Sequence, residues 1–533
     1  MEWGTHRIGP GLAALGIVAA LLAGCSSSTA TPAPATGAAT SGAPAGGSAV
    51  ITPLPTATLP PVEGPDPSPR VAAFYYPWYG TDHWQGGGLG ASLANDDIMS
   101  DYYPVLGPYD SHDPSVVAQH IAWLRAAGIG VIVSSWWGRG SREDGTVPVV
   151  LAMAERYGIK VAFHIEPYGG RTADQLVDDV AYLYAQYGSS PAFFRTVAAT
   201  PYDQKTAPQG LFFVWAPSES GDGGQAVEAD YWRSAVDAIH ASSQGGLVVG
   251  AITDASWIDG AHFDGLYDYT PPLPPTSGAF DWARSVPLGA LYVPSVIPGF
   301  SAKRVDYPSS TYVARDVGAT YDAEWQAALG TGVEPFLVTI TSFNEWHEGT
   351  QIEPATPGHV AGTGRHYSDY SPLPPDGYLT LTRTWVDRFV AMTWPQTFRA
   401  RISIRSTSDW TTVRVAGATL ERPTLFSVTG ATTNAGYDGT QFALNQPLDA
   451  ATADKAVSMT WDVLLSGVTP DATLSIEIER GNLGSTTVTL YNYLGAQPVA
   501  VESVKWAGLS GGMNPKTVKW PARLVLEPAP ASS

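Results

Sequence analysis

The sequence predicts a (β/α)8 TIM-type barrel followed by a smaller all-β, sandwich-like C-terminal domain, and three observations carry that reading. Eight short apolar or β-branched runs alternate with helix-like segments between residues 70 and 395, the pattern of parallel strands joined by crossover helices. Several of these runs are apolar throughout rather than alternating, as strands covered on both faces must be. Beyond Thr397 the texture changes to short alternating runs separated by Gly, Asn, Asp and Pro, with no long helical pattern, which reads as an antiparallel sandwich.

The first 25 residues form a separate unit. A weakly basic start (His6, Arg7) precedes an apolar stretch over 12–23 that is short for a membrane span. It ends in Leu22, Ala23, Gly24 and Cys25, which resembles a bacterial lipoprotein signal cut before Cys25, whose thiol would then be lipidated. This predicts a protein held on the outer face of a bacterial cell membrane, with ordinary secretion as the alternative. The chain has one cysteine, so the mature protein would contain no disulfide and no thiolate metal site. Residues 26–68 are almost wholly Ser, Thr, Ala, Pro and Gly. Such a stretch buries no core and reads as a disordered tether.

The barrel is expected over 69–396. Its strand signals are 71–76, 130–136, 160–166, 211–215, 247–253, 263–269, 290–297 and 335–341. Helical patterns fall at 113–127, where Asp113 caps and Pro114 takes the first helical position, and at 147–157, 172–187, 226–241, 321–329 and 378–392. The link around Trp257 and Ile258 leaves little room for a helix between the fifth and sixth strands. An open doubly wound sheet is the alternative architecture. The all-β module occupies 397–533, where Trp410, Trp461 and Tyr493 read first as packing residues and second as carbohydrate contacts.

Composition narrows the function. A net charge of −20 and a pI near 4.8 argue against nucleic acid, because phosphate binding needs basic surface. The aromatic content of 11%, including 18 Trp and 25 Tyr, suits a neutral, ring-bearing ligand. In a barrel the chemistry sits at the C-terminal ends of the strands. Those ends carry Tyr75, Tyr76, Trp78 and Tyr79; Ser135, Trp136 and Trp137; His164, Glu166 and Tyr168; Trp215; Tyr267, Asp268 and Tyr269; and Asn344, Glu345, Trp346, His347 and Glu348. Aromatic faces stack on sugar rings while Asn, His, Tyr and carboxylates satisfy hydroxyls, so this rim fits a glycan cleft.

Glycoside cleavage needs one acid for the leaving oxygen and a second carboxylate at the anomeric region. Glu345 and Glu348 supply such a pair. On a helical turn their Cβ atoms would lie about 5–6 Å apart, compatible with a retaining enzyme, although spacing alone fits either stereochemical outcome. No His-Glu-x-x-His or Ca²⁺-loop spacing occurs near His164, Glu166 and His347, so no metal or other cofactor is expected. No Gly-x-Ser-x-Gly nucleophile turn follows a strand signal of the barrel either.

Four segments together resemble glycoside hydrolase family 99, the endo-α-mannosidases and endo-α-1,2-mannanases: Tyr75-Tyr76-Pro77-Trp78-Tyr79, Val133-Ser134-Ser135-Trp136-Trp137, His164-Ile165-Glu166-Pro167-Tyr168, and the run from Asn344 through Glu345, Trp346, His347, Glu348, Gly349, Thr350, Gln351, Ile352 and Glu353 to Pro354. A related pattern occurs in polysaccharide-biosynthesis proteins; His347 and the Thr-Gln-Ile-Glu continuation favour the hydrolases. The resemblance implies a retaining, endo-acting enzyme on α-mannose-containing glycans. It implies that Glu345 acts as base on the substrate 2-hydroxyl, giving a 1,2-anhydro sugar, and that Glu348 is general acid and then base. Tyr75, Trp136, Trp137, Glu166, Tyr269 and Asn344 would line the glycone subsites. Tyr76, His164, Trp346 and His347 complete the candidate sugar-binding set. A non-catalytic glycan-binding lipoprotein and a cell-envelope biosynthesis factor are the competing functions.

Overall fold

The computed structural model describes residues 59–519, apart from 86–89, 221–224, 270–279, 288, 306–311, 332, 393–397 and the loops between the C-terminal strands. Cys25 and the tether up to residue 58 lie outside the described residues.

Eight parallel strands close into a barrel. They are β1 (Ser68–Tyr75), β2 (Ile129–Trp136), β3 (Lys160–Ile165), β4 (Gln209–Val214), β5 (Leu247–Ala251), β6 (Gly265–Tyr267), β7 (Leu291–Val293 and Ser295–Val296) and β8 (Val338–Ile340). Each strand pairs with its sequence neighbours, and β1 pairs with β8 through Val71 opposite Val338. Strand β7 divides at Pro294, which has no N–H to give a ladder. Its first half pairs with β6 and its second with β8, and the Pro294 carbonyl accepts from Thr339 N at 2.9 Å. One proline thus turns the seventh strand toward both neighbours.

Besides a single helical turn at Thr81–Trp84, the helices among the described residues are α1 (Pro114–Ala126), α2 (Arg142–Tyr157), α3 (Ala173–Tyr187), α4 (Asp230–Ala241), α5 (Ser256–Ala261), α6 (Ala319–Leu329) and α7 (Gly377–Ala391). Asp113 caps α1 by accepting from Ser115 N at 2.8 Å, as its sequence implies. Helix α5, in the short link, has six residues. Helix α2 begins five residues before its apolar pattern does, because Ser141 caps it and the helix runs through Pro148. Proline removes the bond to the carbonyl four residues back. That carbonyl, on Asp144, accepts instead from the Tyr187 hydroxyl at 3.2 Å.

Residues 59–67, assigned by composition to the tether, are docked on the barrel. Arg125 donates to the carbonyls of Glu63 and Gly64, and the Tyr157 hydroxyl donates to Pro60 O at 2.6 Å. Backbone carbonyls, which composition does not reveal, fasten this segment.

The C-terminal module consists of two five-stranded antiparallel sheets. Trp461, from one sheet, is buried against Phe442 and Tyr437 of the other, with ring centroids at 5.5 and 6.4 Å. It is a packing residue. Trp410 is 37% exposed, and the Tyr493 side chain lies outside the described set.

One buried group gives a stability prediction. Glu324 of α6 is fully buried and neither carboxyl oxygen has a hydrogen-bond partner. Burial, and then the nearby Asp268, push its pKa up to about 9. The folded protein keeps this proton where the unfolded chain, titrating at 4.5, has lost it. Stability therefore falls as pH rises from about 5 to 9. Glu324→Leu abolishes this, so the variant should gain on the order of 3 kcal/mol over the natural protein between pH 5 and pH 8. Urea unfolding at the two pH values measures the difference; a pH-independent gap would refute it.

Candidate active site

Strand alternation decides which rim residues reach the barrel mouth. On β1, Phe74 faces the interior, where it packs on the rings of His164 and Tyr267 at 4.8 and 5.8 Å. Tyr76, the second residue after it, lines a cleft at the C-terminal ends of the strands together with Trp78, His164, Glu166, Trp215, Tyr269, Glu345 and Glu348. The cleft measures about 280 Å³ with its open mouth included.

Glu345 and Glu348 do not sit on a helix. Residues 346–349 form a hydrogen-bonded turn that starts six residues after β8 ends at Ile340. The turn is closed by Gly349 N to Trp346 O at 3.3 Å and Thr350 N to Glu345 O at 3.3 Å. Gly349 has φ 62°, and a Cβ there would come within 2.9 Å of Ser301 O. Glycine is required by both constraints. The turn is pinned from below by Ser342 Oγ, which accepts from Glu345 N at 2.7 Å.

The two carboxyls are differently held. Glu345 accepts from the His347 backbone N–H at 2.9 Å. Glu348 accepts from the Tyr269 hydroxyl at 3.2 Å, and that hydroxyl accepts from the Tyr76 hydroxyl at 2.6 Å. Burial raises the Glu345 pKa well above the carboxylate range and the Glu348 charge raises it further, against the pull of its own turn's amides. Burial likewise pushes Glu348 up to about 7, helped by Glu166 and opposed by Tyr269. The Glu348 charge disfavours ionisation of Glu345, so the pair keeps a proton to higher pH than isolated carboxylates would, the condition for an acid and a base side by side.

Glu166 is the third carboxylate. Its Oε1 accepts from Ser135 Oγ at 2.8 Å and faces His164 Nδ1 at 2.9 Å. Among the described residues no group of three or more His, Cys, Asp or Glu side chains is arranged to hold a metal ion.

Six of the twelve candidate catalytic and sugar-binding residues therefore meet in the cleft: Glu345, Glu348, Tyr76, His164, Glu166 and Tyr269. The other six stand elsewhere. Tyr75 points the opposite way from Tyr76 and its buried hydroxyl meets His120 Nδ1 of α1 at 3.1 Å. Trp136 is fully buried, its Nε1 donating to Asp144 of α2 at 2.9 Å. Trp137 is half-buried and outside the lining. Asn344 clamps β1, accepting from Tyr76 N at 2.7 Å and donating to Tyr76 O at 3.0 Å. Trp346 is fully buried and donates from Nε1 to Glu353 at 2.9 Å. His347 points its ring behind the turn, where Nε2 donates to His83 O at 2.9 Å, and burial pushes its pKa down to about 4. None of these six lines the cleft.

Two lining residues, Trp78 and Trp215, were outside the candidate set. Both stand at strand ends, and Trp78 follows Tyr76 by two residues, the spacing that keeps a side chain on one face. The Trp78 ring stacks near-parallel with His83 and His347, with centroids at 6.0 and 6.3 Å.

A mouse protein named glycoprotein endo-alpha-1,2-mannosidase is 34% identical over 364 residues, 60% of this chain and 74% of that protein. A zebrafish protein named glycoprotein endo-alpha-1,2-mannosidase-like protein is 34% identical over 375 residues, 61% of this chain and 80% of the relative. The solved GH99 endo-alpha-mannosidase from Bacteroides thetaiotaomicron superposes with a TM-score of 0.53 at 32% identity, covering 61% of this chain and 98% of that one. The sequence model of glycosyl hydrolase family 99 matches residues 71–391, the whole barrel and its cleft. The chain belongs to glycosyl hydrolase family 99 and is a glycoside hydrolase.

Proposed function

We propose that the protein hydrolyses α-mannosidic linkages inside mannan or mannose-containing glycans with retention of configuration. The observation that carries this reading is the pair of buried carboxyls on one turn, both with raised proton affinity and both facing a cleft walled by Tyr76, Trp78, Trp215 and Tyr269. Glu345 takes the proton of the substrate 2-hydroxyl, whose oxygen attacks the anomeric carbon. The glycosidic bond breaks as Glu348 protonates the leaving oxygen, leaving a 1,2-anhydro sugar. Water then attacks the anomeric carbon and gives its proton to Glu348, while the 2-oxygen recovers its proton from Glu345. Two inversions give net retention. The relatives named as endo-α-1,2-mannosidases support an α-1,2 linkage as the bond cut.

Within this reading Glu166 and His164 bind sugar hydroxyls, and the aromatic side chains stack on ring faces. Lipidation of Cys25, suggested by the Leu22 to Cys25 sequence, would hold the enzyme on the outer face of the cell membrane.

A time-resolved NMR digest of defined α-mannans tests the whole. Internal cleavage with the α-anomer appearing first is expected; exo-cleavage or a first-formed β-anomer would reject the mechanism. Because the working state needs the pair's proton, kcat/KM should fall on the alkaline side with a midpoint at or above about 7. Binding of mannan without release of new reducing ends would favour a non-catalytic role instead.

A further inference from the structure

Behind the third carboxylate runs a buried chain of hydrogen bonds. The Tyr267 hydroxyl of β6 lies 2.7 Å from His164 Nε2 of β3, and His164 Nδ1 lies 2.9 Å from Glu166 Oε1, which Ser135 of β2 also bonds at 2.8 Å. Tyr267 is fully buried, and Ser135, His164 and Glu166 are at most 3% exposed. Phe74 packs on both rings of the relay, at 4.8 and 5.8 Å, and Phe213 meets Tyr267 edge-on at 5.1 Å. The sleeve is apolar, so a misplaced proton inside it is costly.

Donor and acceptor roles follow from the partners. A carboxylate only accepts, so Nδ1 carries the imidazole proton toward Glu166, Nε2 presents its lone pair, and Tyr267 donates to it. In the reverse arrangement, with the proton on Nε2 and a neutral Glu166 donating to Nδ1, the Tyr267 hydrogen would have no acceptor in the chain. The relay thus favours an ionised Glu166 with a fixed orientation. We propose that Tyr267 and His164 are positioning residues that hold Glu166 as a stationary anion in the cleft, and that this anion controls when the Glu345 and Glu348 pair gives up its proton. This rests on the acid and base roles proposed above for that pair.

The electrostatic surroundings are consistent with it. The pair is faced by Glu166 from the end of β3, Tyr76 and Tyr79 from just beyond β1 and Tyr269 from beyond β6. Glu166 raises the proton affinity of both members. Around Glu166 itself stand His164, Tyr267, the Arg171 guanidinium and Glu143 of α2. Arg171 is engaged by the carbonyls of Ile165, Trp215, Ala216 and Glu219. The charge of Glu166 therefore reaches both members of the catalytic pair as well as Arg171, Tyr267 and Tyr76.

Two histidine variants separate positioning from mere support. In His164→Asn the side-chain amide nitrogen can take the place of Nδ1 and keep a donor on Glu166; in His164→Gln it takes the place of Nε2, and the donor to Glu166 is lost. Glu166→Gln removes the charge while keeping the shape. The alkaline limb of kcat/KM should move to lower pH by roughly half a unit to one unit in Glu166→Gln and His164→Gln, the size expected for losing a like charge across a partly solvated cleft. In His164→Asn the limb should stay where it is, although kcat/KM itself falls. A purely structural role would damage both histidine variants alike and leave the limb in place.

Infrared titration of the protonated carboxyl band, assigned with Glu345→Gln and Glu348→Gln, reads the same midpoint without turnover. A protein that cleaves no mannan would fail the proposed function yet still report on the relay. An unmoved midpoint in Glu166→Gln, or indistinguishable midpoints in His164→Asn and His164→Gln, overturns the proposal.

Discussion

Glu348→Gln and Glu345→Gln should each reduce kcat/KM on an α-mannan by about 10²–10⁴-fold, the usual cost of removing a positioned acid or base. The amide keeps the volume and, for Glu345, an oxygen to accept from His347 N, so folding should be intact and the loss chemical. The two variants should then part company on the substrate. With an activated leaving group such as fluoride, the departing atom needs little protonation, and Glu348→Gln should recover much of the first step. Glu345→Gln should not recover, since the 2-hydroxyl still needs its base. Steady-state and single-turnover kinetics on the two substrate classes resolve this. Near-natural activity in either variant, or rescue of Glu345→Gln instead, would contradict the roles assigned to them.

Much of this site was legible in the chain because barrel chemistry sits where apolar runs turn polar. The run ending at Thr341 delivered Glu345 and Glu348, and the third strand delivered His164 and Glu166. The candidates that fall outside the cleft do so for physical reasons. Tyr75 was grouped with its neighbour Tyr76, yet adjacent strand residues face opposite ways, and the partners that draw Tyr75 and Trp136 outward, His120 and Asp144, are 45 and 8 residues away. Asn344, Trp346 and His347 belong to the right motif, but their hydrogen bonds go to Tyr76, Glu353 and His83, contacts set by tertiary packing rather than by spacing. Trp215 and Trp78 carried the correct signal, a strand-end position, without a polar neighbour to single them out. The division of β7 at Pro294 was also hidden, because the surrounding residues 290–297 read as one uninterrupted run.

Glu353→Ala should cost stability rather than chemistry in the first instance, by about 3–5 kcal/mol. Glu353 is fully buried below the catalytic turn. Its Oε2 accepts from the Tyr109 hydroxyl at 2.8 Å and from Trp346 Nε1 at 2.9 Å, and its Oε1 lies 3.1 Å from His120 Nε2. Removing the carboxylate leaves two buried donors, the Tyr109 hydroxyl and Trp346 Nε1, facing a void, and each unsatisfied donor costs about 1–3 kcal/mol. Glu353→Gln keeps one acceptor and should lose less. Glu334→Ala is the internal control: its ion pair with Arg70 spans 2.8 Å but the glutamate side chain is 53% exposed, so under about 1 kcal/mol is expected. Urea unfolding followed by tryptophan fluorescence ranks the three. Since Trp346 lies inside the catalytic turn, Glu353→Gln should also lower kcat more than it raises KM, because the turn that aims Glu345 and Glu348 loses its lower anchor. If Glu353→Ala were no less stable than Glu334→Ala, the buried network would not be what holds the turn in place, and the pinning would fall to Ser342 and the strand beneath it.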